Sequence, residues 1–90
     1  MTKLVYFHHK DCSVCHDVAP LVEGIAIKCN VEYVDAETRE GLMRAYDMGV
    51  KRVPTIIVLG EDACQLPERF EAEGIRKMAE CLKISSVRAG

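Results

Sequence analysis

Two cysteines separated by two residues, Cys12-Ser13-Val14-Cys15, stand between a short apolar block and a stretch with helical periodicity. On a helix that starts at Cys12, the second sulfur lies one turn in on the same face, within bridging reach of the first. A helix N-terminus carries partial positive charge and unpaired N–H groups, and so favours a thiolate over a thiol. The motif therefore asks for a strand that ends, a short turn and a helix that begins. The block Lys3 to Phe7 (Lys-Leu-Val-Tyr-Phe) predicts a strand covered on both faces. His8-His9-Lys10-Asp11 is the polar connection, with Asp11 as a candidate helix cap that also sets a negative charge beside Cys12. From Ser13 to Cys29, the residues Cys15, Val18, Val22, Ile25, Ala26 and Cys29 recur at three- and four-residue spacing and predict one buried helix face. Pro20 interrupts that helix and removes one of its backbone hydrogen bonds.

The remainder alternates in the same manner. Val31 to Val34 predicts a second strand ended by Asp35, and Thr38 is a candidate cap for a helix over residues 39–48 that buries Leu42, Ala45, Tyr46 and Met48. Gly41 weakens that helix and Gly49 closes it. Val53-Pro54-Thr55 leads into Ile56-Ile57-Val58-Leu59, the most hydrophobic four-residue run and the expected central strand. Gly60-Glu61-Asp62 reads as a turn. The segment Cys64 to Glu71 contains Pro67, which restricts it to an edge strand beginning near Glu68. A last helix runs from Gly74 to Ile84 with Ile75, Met78, Ala79 and Leu82 inward and Cys81 on its flank, followed by a frayed tail from Ser85 to Gly90. A helical crossover between the first two strands makes them parallel and right-handed, and a turn makes the last two antiparallel. The expected architecture is α/β: a mixed four-stranded sheet with helices on both faces, in the order βαβαββα.

Composition narrows the function classes. Ninety residues, 49% of them hydrophobic, fit one small domain over residues 1–90. A net charge of −2 offers no basic field for nucleic acid or an anionic membrane, so neither is an expected partner. The first apolar run is too short for a signal peptide or a membrane span, which predicts a cytoplasmic protein. Five cysteines in a reducing compartment do not make a structural disulfide framework. Cys29, Cys64 and Cys81 are expected to serve as small packing residues, with an accessory redox role open to Cys64. The motif itself fits three chemistries: dithiol redox exchange, haem attachment through Cys-x-x-Cys-His with His16, or zinc or an iron–sulfur cluster held with help from His8 and His9. A fourth reading is a binding module without turnover.

Taken together, these residues resemble the thioredoxin superfamily, and in overall length its small thioredoxin-like and glutaredoxin-like members. Cys12-Ser13-Val14-Cys15-His16-Asp17-Val18-Ala19-Pro20 is similar to that family's C-x-x-C-x-x-x-A-P, and Val53-Pro54-Thr55 to its proline loop. The resemblance implies a three-layer α/β/α sandwich and a thiol–disulfide oxidoreductase that reduces protein disulfides. Cys12 is then the nucleophile and Cys15 the resolving thiol. A cis Val53–Pro54 bond would face the pair, keep metal away and, with Thr55, offer backbone to an extended substrate. Lys10, Asp11 and His16 form the expected thiolate environment. The expectation is of a monomer without metal or other cofactor, acting on disulfide-containing proteins and re-reduced by a thioredoxin-reductase type of partner in preference to glutathione. The departures are specific. The chain has no tryptophan, Tyr6 stands where the family carries a buried aspartate, Val31 where that aspartate has a lysine partner, and Ala72-Glu73-Gly74 where glutaredoxins hold glutathione with a Gly-Gly pair.

Overall fold

β1 (Lys3–His8) is buried on both faces because every residue from Leu4 to Phe7 is apolar or aromatic, and the sheet is assembled around it. In the computed structural model, which describes residues 3–59 and 69–81, β1 is followed by α1 (Ser13–Lys28), β2 (Asn30–Asp35), α2 (Arg39–Asp47), β3 (Thr55–Leu59), β4 (Arg69–Phe70) and α3 (Ala72–Cys81). The strands lie in the order β2-β1-β3-β4. β1 and β2 are parallel, with Tyr6 opposite Tyr33, whereas β1 with β3 and β3 with β4 are antiparallel. The sheet is mixed and the element order is the one expected from the sequence. The predicted turn at Gly60-Glu61-Asp62, Cys64, Pro67, the start of the last strand near Glu68, the helix beyond Cys81 and the tail lie outside the described residues.

Alternation along β1 builds two cores. Leu4 and Tyr6 face Val18, Val22 and Ile25 of α1 and Ile75 and Met78 of α3, while Val5 and Phe7 face Ala45 of α2 and Ile57 of β3. Among the described residues, no helix is long and apolar enough to cross a membrane.

The helices begin and end for identifiable reasons. α2 is capped by Thr38, whose Oγ1 accepts the Gly41 N–H at 2.9 Å, and it ends at Gly49 with φ +72°. Arg69 of β4 reaches back to the carbonyls of Gly49 and Met48 at 2.9 and 3.2 Å, satisfying groups at that end which have no partner in the helix itself. α3 starts two residues before Gly74, because the Glu71 carbonyl already accepts the Ile75 N–H at 2.9 Å.

The buried face of α2 differs from the expected one. Gly41 and Ala45, four residues apart, face the sheet, while Leu42 is 61% and Tyr46 84% exposed and Met48 is half-buried. The cause is distance: a Cβ on Gly41 would lie 1.9 Å from the Asp35 carbonyl oxygen, so this helix sits closer to the end of β2 than larger inward side chains permit. On α1, Cys15, Val18, Val22 and Ile25 are buried as the spacing predicts, while Ala26 and Cys29 at the far end are half-buried. Cys81, expected to pack, is exposed at the end of α3.

One ionic group ties three elements together. Glu32 of β2 takes hydrogen bonds from Arg44 of α2, one of them at 3.4 Å, and lies 3.0 Å from the Lys3 ammonium of β1. Arg44, followed by Lys3, holds the Glu32 carboxyl down at about 2, against the usual 4.5. A carboxyl depressed in the folded state contributes stability that is fully present above its unfolded value and is lost as pH falls through the folded one. Between pH 4.5 and about 2, then, the wild type is expected to lose stability that a Glu32→Gln variant does not have to lose. Urea unfolding followed by circular dichroism across that window checks it. The group is open to solvent, so the difference is expected to be small and to shrink with added salt.

Candidate active site

The turn after β1 puts Cys12 at the N-cap of α1, in an extended conformation with φ −104° and ψ 111°. Its Sγ accepts the Cys15 N–H at 3.1 Å, doing what a serine or aspartate oxygen does at other helix starts. Cys12 itself is therefore the cap. Asp11 is exposed, and its own N–H donates to His9 Nδ1 at 3.0 Å, so the expectation that Asp11 caps the helix is corrected. One turn in, Cys15 is 4% exposed and packs inward. Burial pushes the Cys15 thiol up, and the hydrogen bond with Cys12 adds to the effect, so this sulfur stays protonated while its neighbour is the accessible one.

The opposite wall comes from the loop before β3. The Val53–Pro54 peptide bond is cis, and the Cys12 thiol faces the Val53 carbonyl at 3.8 Å. Thr55 is buried, and its hydroxyl donates to the Arg52 carbonyl at 2.7 Å, which fixes the loop against the first residue of the strand. An open groove of about 510 Å³ runs alongside, bordered by Val14, Arg52, Val53, Pro54, Glu71 and Arg76. Arg52 and Glu71 approach each other across it at 3.9 Å. The sequence pattern pointed to Val53, Pro54 and Thr55 here. It gave no sign of Arg52, Glu71 or Arg76, because these converge from the loop, the end of β4 and α3.

The charged neighbours expected around the thiolate have other partners. The Lys10 ammonium is largely exposed and lies 3.9 Å from Glu37. His16 Nε2 is 2.8 Å from the Lys10 carbonyl and, since a carbonyl only accepts, carries the proton there. Behind Cys15 sits an aromatic group missed by the sequence reading. The Tyr6 ring stacks on His8 with centroids 5.3 Å apart, and Tyr33 meets both edge-on at 5.7 and 6.3 Å. The available signal was the two-residue spacing of Tyr6 and His8, which places both on the α1 face of the sheet. Burial, followed by the nearness of Cys15 and Cys12, pushes the Tyr6 phenol up, so it stays neutral.

Metal ligation was the rival chemistry for the motif. Among the described residues, the ligand atoms that lie within 4.8 Å of one another are those of His9, Asp11 and Glu37, on the exposed rim. His9 Nδ1 is already used by the Asp11 N–H, and the Lys10 ammonium competes for Glu37. The set His8, His9, Cys12, Cys15 and His16 is not gathered in this way.

No protein-family model and no curated protein matches the chain. Solved structures do. Thioredoxin 1 from the thermophilic eubacterium Thermosipho africanus is 28% identical, with 94% of this chain and 99% of that one covered at a TM-score of 0.64. Fasciola hepatica thioredoxin is 22% identical, with 93% and 81% covered at 0.69. A mutant thioredoxin from Halobacterium salinarum is 20% identical, with 99% and 78% covered at 0.69. At the lower identities the likeness is one of fold alone, and it spans nearly all of this chain in each case. Sheet order, helix placement and these neighbours agree, and the chain belongs to the thioredoxin superfamily.

Proposed function

We propose that the protein is a thiol–disulfide oxidoreductase that reduces protein disulfides through Cys12 and Cys15. The observation that carries this reading is the asymmetry of the pair: one sulfur at the helix mouth facing the Val53 carbonyl, the other buried one turn behind it. Cys12 as thiolate attacks one sulfur of the substrate disulfide, forming a mixed disulfide and releasing the first substrate thiolate. Cys15 then attacks Cys12 Sγ, the second substrate thiolate leaves, and the pair is left oxidised. Two electrons pass to the substrate, and the two protons that complete its thiols come from the enzyme's dithiol and solvent.

The groove beside Pro54 suits an extended segment, with the Val53 backbone as a pairing edge and Arg52, Glu71 and Arg76 available to charged side chains. A thioredoxin-reductase type of enzyme is the proposed electron source. Glutathione is disfavoured because Ala72-Glu73-Gly74 opens α3, where a glutathione site needs a Gly-Gly pair. A reducing compartment such as the cytoplasm is the proposed setting.

The deciding experiment replaces Cys15 by Ser. Without a resolving thiol the first step has no second, so the variant is expected to accumulate covalent adducts with disulfide proteins from cell extract. These adducts should be released by dithiothreitol and be absent when Cys12 is also replaced. If no adduct forms, and the wild type reduces no model protein disulfide such as that of insulin, the oxidoreductase reading fails.

A further inference from the structure

The Cys15 thiol must lose a proton before it can attack a mixed disulfide, and both its burial and the direction of its shift make that unfavourable. On one side its neighbour is Cys12, whose Sγ accepts the Cys15 N–H and shares a hydrogen bond with the thiol. On the other side of α1, a recess of about 320 Å³ reaches Cys15, bordered by Tyr6, His8, His16, Ala19 and Tyr33. It is open at the surface and wide enough to admit solvent, although most of its wall is apolar. Three histidines border this recess, and they differ in burial and in what holds them. His9 Nδ1 accepts the Asp11 N–H while its Nε2 lies 3.9 Å from Glu37, and His16 is exposed, with its Nε2–H donated to the Lys10 carbonyl and its Nδ1 open to solvent. The His8 ring, half-buried on the Tyr6 ring, makes no hydrogen bond among the described residues, which leaves a nitrogen lone pair available.

We propose that His8, seated on Tyr6 in this recess, takes up the proton that Cys15 releases in the resolving step. The inference rests on the exchange chemistry proposed above. The proton passes from Cys15 Sγ to His8 by way of the recess. The Cys15 thiolate attacks Cys12 Sγ, the Cys12–substrate S–S bond breaks, and the departing substrate thiolate is protonated by the imidazolium or by solvent. Tyr6 holds the ring in place and borders the path without ionising. The other titratable groups around His8 are Tyr33 and Asp35 of β2, His9 and Lys10 of the loop, and Cys15 and His16 of α1.

The test uses the full chain and an aromatic disulfide reagent, with acid quench and mass spectrometry following two rates: formation of the mixed disulfide on Cys12, and its conversion to Cys12–Cys15. In His8→Gln, formation is expected to keep the wild-type rate. Conversion is expected to slow by about a hundredfold near neutral pH, the lower end of what a positioned base contributes. The variant's conversion rate should approach the wild type again in alkali, where hydroxide replaces the imidazole. Tyr6→Phe, which keeps the ring and removes a hydroxyl that does not ionise, is expected to convert at close to the wild-type rate. Unchanged conversion in His8→Gln overturns the proposal, as does an equal loss at every pH, which marks a structural role. A slowed conversion in His16→Gln with none in His8→Gln overturns it too. Failure of the wild type to form any mixed disulfide is a different result, and it removes the exchange reading together with this one.

Discussion

A Cys12→Ser protein is expected to lose protein-disulfide reduction by about a thousandfold or more, as enzymes do when the attacking atom of a covalent mechanism is removed. It is also expected to unfold at close to the wild-type temperature. The two expectations together make the experiment informative. Cys12 is the N-cap of α1, and its Sγ accepts the Cys15 N–H at 3.1 Å. Serine is among the preferred residues at that position, since its oxygen accepts the same N–H. The helix start is therefore retained while the nucleophile is not. Insulin reduction under dithiothreitol measures the first expectation and thermal unfolding by circular dichroism the second. A Cys12→Ser protein that still reduces insulin would move the chemistry to another thiol, with exposed Cys81 the first to examine. Loss of activity accompanied by a large fall in melting temperature would leave Cys12 as a structural residue.

Gly41→Ala and Gly74→Ala are each expected to destabilise the protein, against the usual direction. In an exposed helix interior, replacing glycine by alanine is favourable by about 0.5–1 kcal/mol. At Gly41 the added methyl would sit 1.9 Å from the Asp35 carbonyl oxygen and 2.9 Å from Thr38 Oγ1. That carbonyl already accepts the Thr38 N–H at 3.2 Å and the Thr38 hydroxyl at 2.9 Å, so it cannot move without loosening the cap of α2. At Gly74 the methyl would sit 2.3 Å from Phe70 Cβ, where α3 crosses β4. Forcing extra volume into a packed contact costs about 1–3 kcal/mol. In a chain of this size each kcal/mol lowers the melting temperature by about 4–8 °C. Either alanine variant melting at or above the wild-type temperature would mean that the helix moves away from its neighbour at no cost.

The two glycines also mark the limit of what a local pattern conveys. Read by propensity, Gly41 is a defect in a short helix whose apolar residues Leu42 and Tyr46 ought to face inward. In the folded chain, Gly41 faces the sheet and those two face solvent. The orientation is set by how closely α2 approaches the end of β2, a distance between segments that no spacing within one segment encodes.

The sequence by itself determined the element order, the parallel pairing of β1 with β2 and the antiparallel pairing of β3 with β4, the cap at Thr38, the stop at Gly49 and the strand-to-helix position of Cys12 and Cys15. Each of these follows from periodicity, turn chemistry or chain connectivity over a few residues, and the energies involved are local. Tertiary structure alone decided what surrounds the two sulfurs. It turned Lys10 towards Glu37 and His16 towards the Lys10 carbonyl, brought Arg52, Glu71 and Arg76 to one groove, and stacked Tyr6 on His8 behind Cys15 with Tyr33 edge-on to both. Those placements depend on charges and rings from separate elements competing for the same partners once the sheet has closed. The same motif that announces a reactive pair therefore leaves open which groups set its proton transfers, because that is fixed by contacts across the fold.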